Sequence, residues 1–143
     1  MSIAKINSFL QSFGCYFDSK KEVIQIRQNL FAVDEKPPRG AVYAGEFLGT
    51  LKGKFQPSLF FMQTYLQGAA NKIQLPKKQA FLFTCGRDIF IEPLKRSVIQ
   101  GSTIVFTDEQ NDIIGYGVAR GPVILNKMDI GLYLRREMSK KRI

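Results

Sequence analysis

At 143 residues the chain has the size of one domain, or of two very small ones sharing an interface. Hydrophobic residues at 45% and charged residues at 23% exclude wholesale disorder and leave enough apolar material for a real core. Twenty-one Lys and Arg against twelve Asp and Glu, a net charge of +9, point to a polyanionic partner, either nucleic acid or an anionic membrane surface.

No apolar run approaches the roughly 18 residues that cross a bilayer. The start, "MSIAKINSFLQSFG", lacks the basic opening, unbroken apolar centre and cleavage site of a signal peptide. An intracellular protein is expected. The chain has no histidine, which removes the usual general base and the commonest metal ligand. Cys15 and Cys85 stand alone in "GCYF" and "FTCG", as small buried hydrophobes do, and form neither a disulfide framework nor a metal knuckle. No catalytic residue, cofactor or metal site is expected.

In chain order, residues 2–13 read as a helix with Ser2 as cap, Ile3, Ile6, Phe9, Leu10 and Phe13 at helical spacing, and Gly14 as stop. A strand meander follows: "CYFDS", "EVIQIR" and "LFAVD", joined by "KK" and "QN" turns. The two prolines of "EKPPRG" make a rigid loop. "AVYAGEFLGTL" supplies another strand and "KGKFQP" another turn. In "SLFFMQTYLQGAANKI" the front half suits a buried strand and the rest a helix. Pro76 in "QLPKK" interrupts the chain, which places a boundary between residues 1–76, a small N-terminal α/β domain, and residues 77–143.

The second part reads as β-rich. "QAFLFT", "GSTIVFTD", "DIIGYGVA" and "PVILN" are short strands, and "DEQN" makes a hairpin of the middle two. Strands at this spacing fit a small, partly closed barrel. Gly115 and Gly117 inside a strand mark a bulge or a close backbone approach. "CGRDIFIEPLKRSVIQ" holds a short helix or turn around residues 91–97. The fold class expected is α+β, an α/β subdomain followed by a β pseudobarrel with a terminal helix.

Asp129 caps that helix, with Ile130, Tyr133, Leu134 and Met138 on one face. Arg135 and Arg136 flank the opposite side, and Lys140, Lys141 and Arg142 form a tail. Five of the twelve basic residues beyond residue 76 fall in the last nine positions. Late positive charge also suits a helix C-terminus, so a solvated helix end competes with a binding patch. Arg120 and Lys127 could share a face with the terminal arginines, and such a patch would neutralise phosphates beside single-stranded RNA. A membrane-bound role is disfavoured, since an interfacial helix should be longer and carry bulky aromatics. Tyr116 and Tyr133 are the two aromatics read as base-stacking candidates, whereas "FLF", "LFF" and "IFI" look like core.

"STIVFTDEQNDIIGYGVARG" followed by "NKMDIGLYLRRE" resembles the closing half of a PUA domain, the small RNA-binding pseudobarrel of RNA-modifying enzymes and ribosome-assembly factors. "LGTLKGKFQPSLFFMQTYLQGA" looks like the end of the N-terminal domain of the Nip-seven family of ribosome-biogenesis factors. The resemblance implies a non-enzymatic factor for assembly of the large ribosomal subunit. Its C-terminal domain would bind ribosomal RNA through Arg135 and Arg136, and through Arg142 with Lys140 and Lys141. Its N-terminal domain would contact pre-ribosomal proteins. A monomer is expected, in the cytoplasm of an archaeal host or the nucleus and nucleolus of a eukaryotic one. The alternatives are a PUA protein of translation or tRNA metabolism, or an RNA-modification subunit using Asp18, Asp34 or Glu46.

Overall fold

The computed structural model describes residues 2–132, and the chain folds as two compact units, Met1–Gly68 and Ala69–Ile143. In the first unit, helix α1 (Ser2–Gln11) and helix α2 (Leu59–Tyr65) accompany an antiparallel sheet. The sheet runs β1 (Glu22–Ile26), β2 (Asn29–Val33), β3 (Glu46–Lys52) and β4 (Lys54–Pro57), each strand pairing the next. Its core is aromatic: Phe9 meets Phe55 edge-on at 5.5 Å, and Phe55 meets Phe61 at 4.9 Å. On the sheet, Lys21 binds the Glu46 carboxylate at 2.9 Å and Asp34 at 3.7 Å. The hydrogen bond that Lys21 donates to Glu46 leads the causes that raise the Lys21 pKa above the usual lysine range.

Three expectations change here. "CYFDS" forms no strand. "KFQP" is not a turn but strand β4, because Gly53 at φ 79° closes the reversal within a single residue. "SLFF" opens a helix because Ser58 caps it: its hydroxyl accepts from the Phe61 amide at 3.0 Å and donates to the Phe47 carbonyl at 2.7 Å.

The second unit begins with β5 (Lys72–Gln74) and α3 (Lys77–Thr84). β6 (Ile89–Phe90) and a 3-10 turn at Glu92–Leu94 follow, then β7 (Thr103–Thr107), β8 (Ile113–Arg120) and β9 (Val123–Asp129). The strands lie in the order β5-β7-β8-β9-β6, with β5 parallel to β7 and the other pairs antiparallel. The division read at residue 76 falls inside this unit, between β5 and α3.

Segment "QAFLFT", expected as a strand, is helix α3. Pro76 sits at its N-cap with the preset φ of −58°, and burial falls at Ala80 and Phe83, three apart, while Phe81 stays 66% exposed. A run of four consecutive apolar residues carries no period that separates helix from strand. Cys85 ends this helix and is exposed, not buried, and Cys15 is half-buried.

The curl of the sheet follows from two glycines. Bulges interrupt the β7–β8 register at Phe106/Thr107 and the β8–β9 register at Tyr116/Gly117. At Gly115, with φ 149°, a Cβ would lie 2.7 Å from the Phe83 ring and would strike the Met128 carbonyl. The missing side chain lets Phe83 enter the core, edge-on to Phe106 at 4.8 Å, with Ile73, Ile104, Ile114 and Ile124 around it. Gly115→Ala is therefore expected to destabilise the second unit by about 3 kcal/mol or more, since strain and overpacking add. Urea unfolding followed by circular dichroism measures it, and a midpoint equal to the parent's would refute the close-packing account.

Candidate nucleic-acid interface

One face of the β6–β9–β8 ribbon is built from residues that alternate with the core. Ile89 opposes Ile124, which opposes Ala119, and all three are buried. The residues one step along, Phe90, Val123 and Arg120, also pair across the strands. Because directly paired residues project from the same face, these three form an outward row. Phe90 is 64% exposed and Arg120 is exposed. Two strand spacings put their Cα atoms about 10 Å apart, close to the reach of one nucleotide.

The row is held from both ends. The Ile91 amide donates to the Pro122 carbonyl at 2.9 Å, fixing β6 to the turn between β8 and β9. The Gln100 carboxamide clamps Gly121, donating to its carbonyl at 2.9 Å and accepting from its amide at 2.6 Å. Lys127, the extra residue of the β8–β9 bulge, is exposed four residues further along β9, about 13 Å from Val123 at 3.3 Å per residue.

A polar junction lies beside it. The Asn126 carboxamide donates to the Phe83 carbonyl at 2.9 Å, to the Arg87 carbonyl at 3.4 Å and to the buried Asp129 carboxylate at 3.1 Å. Its backbone amide donates to Asp88 at 2.8 Å. Asn126 thereby ties the loop after α3 to β9 and brings exposed Arg87 to the neighbourhood of Lys127.

The sequence-derived candidates divide accordingly. Arg120 and Lys127 are both exposed on the β8–β9 hairpin. Arg135, Arg136, Lys140, Lys141 and Arg142, with Tyr133, lie outside the described residues. Tyr116 is half-buried on β8. Phe90 escapes the sequence reading because "IFI" reads as continuous core, yet strict alternation on a short edge strand turns it outward; Arg87 escapes it because only the hydrogen bond from Asn126 brings it here. Of the carboxylates considered for chemistry, Asp34 and Glu46 bind Lys21, and Asp18 is an exposed residue at the rim of a shallow cavity of about 230 Å³. Among the described residues no cluster of three potential metal ligands occurs, and no helix is long and apolar enough to cross a membrane.

Comparison with known proteins places the fold. Residues 71–138 match the family model described as UPF0113 PUA domain, a stretch spanning nearly all of the second unit. Over 95% of its length the chain is similar to a conserved PUA domain protein from Thermoplasma acidophilum, covering 93% of that chain at 15% identity with a TM-score of 0.59. No curated protein matches the sequence significantly. The fold is mixed α+β with a curled, PUA-like half-barrel.

If Asn126 organises this surface, Asn126→Ala should lower stability by about 2 kcal/mol, since the Phe83 carbonyl and the Asp129 carboxylate lose a shared donor. Thermal melting of the intact chain reads the loss. An unchanged melting temperature would show that the junction is incidental.

Proposed function

We propose that the chain is a non-enzymatic RNA-binding protein that captures single-stranded RNA on the outward β6–β9–β8 face. The observation that carries this reading is the cross-strand row in which an exposed aromatic, Phe90, and a cation, Arg120, flank Val123. An exposed ring offers a stacking platform to any base, and a guanidinium at nucleotide spacing neutralises the adjoining phosphate. Arg87 and Lys127 extend the positive track, and the PUA match supports RNA as the ligand class. The basic residues of the last nine positions, Arg135, Arg136, Lys140, Lys141 and Arg142, add charge to the same unit.

Within this reading the RNA is ribosomal, and the chain acts as an assembly factor for the large subunit, as its resemblance to the Nip-seven family implies. The first unit would serve as a platform for pre-ribosomal proteins. Its exposed Tyr16, Val42 and Tyr43, at 74%, 68% and 65%, support that assignment.

Neutralising about four phosphates should make log affinity for single-stranded RNA fall by about 2.8 per decade of salt. Arg120→Ala with Lys127→Ala should flatten that slope by about 1.4, two phosphates' worth. Phe90→Ala should instead leave the slope and cost about 1–3 kcal/mol of affinity, the value of one stacked base. Fluorescence anisotropy across a salt series measures all three, and salt-independent binding would contradict the proposal. Crosslinking in cells followed by sequencing of the attached RNA tests the finer assignment. Large-subunit precursors are expected, whereas recovery of tRNA would favour a role in translation or tRNA metabolism.

A further inference from the structure

On the β5 side of the second unit a cavity of about 170 Å³ opens between the edge strand and the segment after the 3-10 turn. A single water needs only roughly 10–15 Å³ on the same measure, so this space admits a small organic group. Its floor is apolar: Ile73 and Ile104 are buried at 5% and 1% exposure, and Val98 packs against the same core. Its rim is polar and carries Asn71, Lys72, Arg96 and Ser97, with no carboxylate among the residues that line it.

Both walls are fixed before anything binds. On one side the Val105 amide donates to the Asn71 carbonyl at 2.9 Å, which seats the start of β5 against β7. On the other, Lys95 adopts a left-handed φ of 53° and its amide closes the 3-10 turn on Glu92 at 3.1 Å. Five residues later Gln100 is clamped to Gly121 through both its amide atoms. Arg96 and Ser97 are thus presented from a segment anchored at each end, and among the described residues Arg96 is paired with no carboxylate. A guanidinium left exposed and, among the described residues, unpaired beside an apolar floor suits an anionic head attached to a flat, largely apolar body.

We propose that this cavity is a mononucleotide site, its floor taking the base and Arg96 taking the phosphate. Its lining residues include none of Phe90, Val123 and Arg120, and β5 and β6 are opposite ends of the strand order. It rests on the RNA reading only for the source of the nucleotide, either one unit of a bound RNA or a free nucleotide.

The test is a titration of the isotope-labelled full chain with AMP, adenosine and inorganic phosphate, followed by amide NMR. AMP should move the amides of Asn71, Ser97 and Ser102 saturably, while adenosine and phosphate alone bind about tenfold more weakly or worse, each using half of the site. Arg96→Ala should weaken AMP about tenfold at an unchanged melting temperature, Arg96→Lys less so, and Phe90→Ala not at all. Silence of those amides toward AMP, or an Arg96→Ala variant that binds AMP like the parent, overturns the site. So does adenosine binding as tightly as AMP. Adding single-stranded RNA to the AMP-bound protein separates the sources: displacement assigns the cavity to a nucleotide of the RNA, and retention of AMP assigns it to a free one. RNA binding with a cavity that ignores AMP sinks this inference alone. AMP binding by a chain that captures no RNA sinks only the function proposed above.

Discussion

The contact on which the second unit turns is that between the Phe83 ring and the bare Cα of Gly115. A side chain at 115 would meet the ring at 2.7 Å, so helix α3 can lie against β8 only because none is there. That approach brings Phe83 to Phe106 and lets the sheet curl around both. From it follows the placement of the loop after α3, since the carbonyl of the same Phe83 accepts from Asn126 on β9. One packing event therefore closes the core, and one carboxamide passes its consequence to the surface where Arg87 and Lys127 emerge.

The surface obeys a simpler constraint, the two-residue period of a strand. Once Ile89, Ile124 and Ala119 are committed to the core, their neighbours Phe90, Val123 and Arg120 must face outward in register. An aromatic ring and a guanidinium are placed beside one another by hydrophobic burial on the reverse side. No direct contact between them is needed, and among the described residues both are exposed.

Much of this was legible in the residues, and the misses have identifiable causes. The β7–β8 hairpin is readable because "DEQN" separates two short runs rich in β-branched and aromatic residues, and the glycines within β8 announce the bulges. "QAFLFT" was misread because an unbroken apolar run fits either period; the deciding clue was Pro76, a helix-opening residue read as a break. "SLFF" was misread for a similar reason, with the Ser58 cap overlooked. The site was legible only in part. Arg120 and Lys127 were found through charge, which sequence displays openly. Arg87 depends on a hydrogen bond from Asn126, 39 positions away, and Phe90 on the edge position of β6 in the sheet order. Neither can be read along the chain, since both are properties of tertiary pairing.

In the function proposed above, RNA lies across the outward β6–β9–β8 face. Ultraviolet crosslinking of the purified chain to single-stranded RNA, with mass spectrometry of the attached peptides, addresses it most directly. Adducts on peptides carrying Phe90 and on the Arg120–Lys127 hairpin are the result this account requires. Adducts confined to the first unit would contradict it.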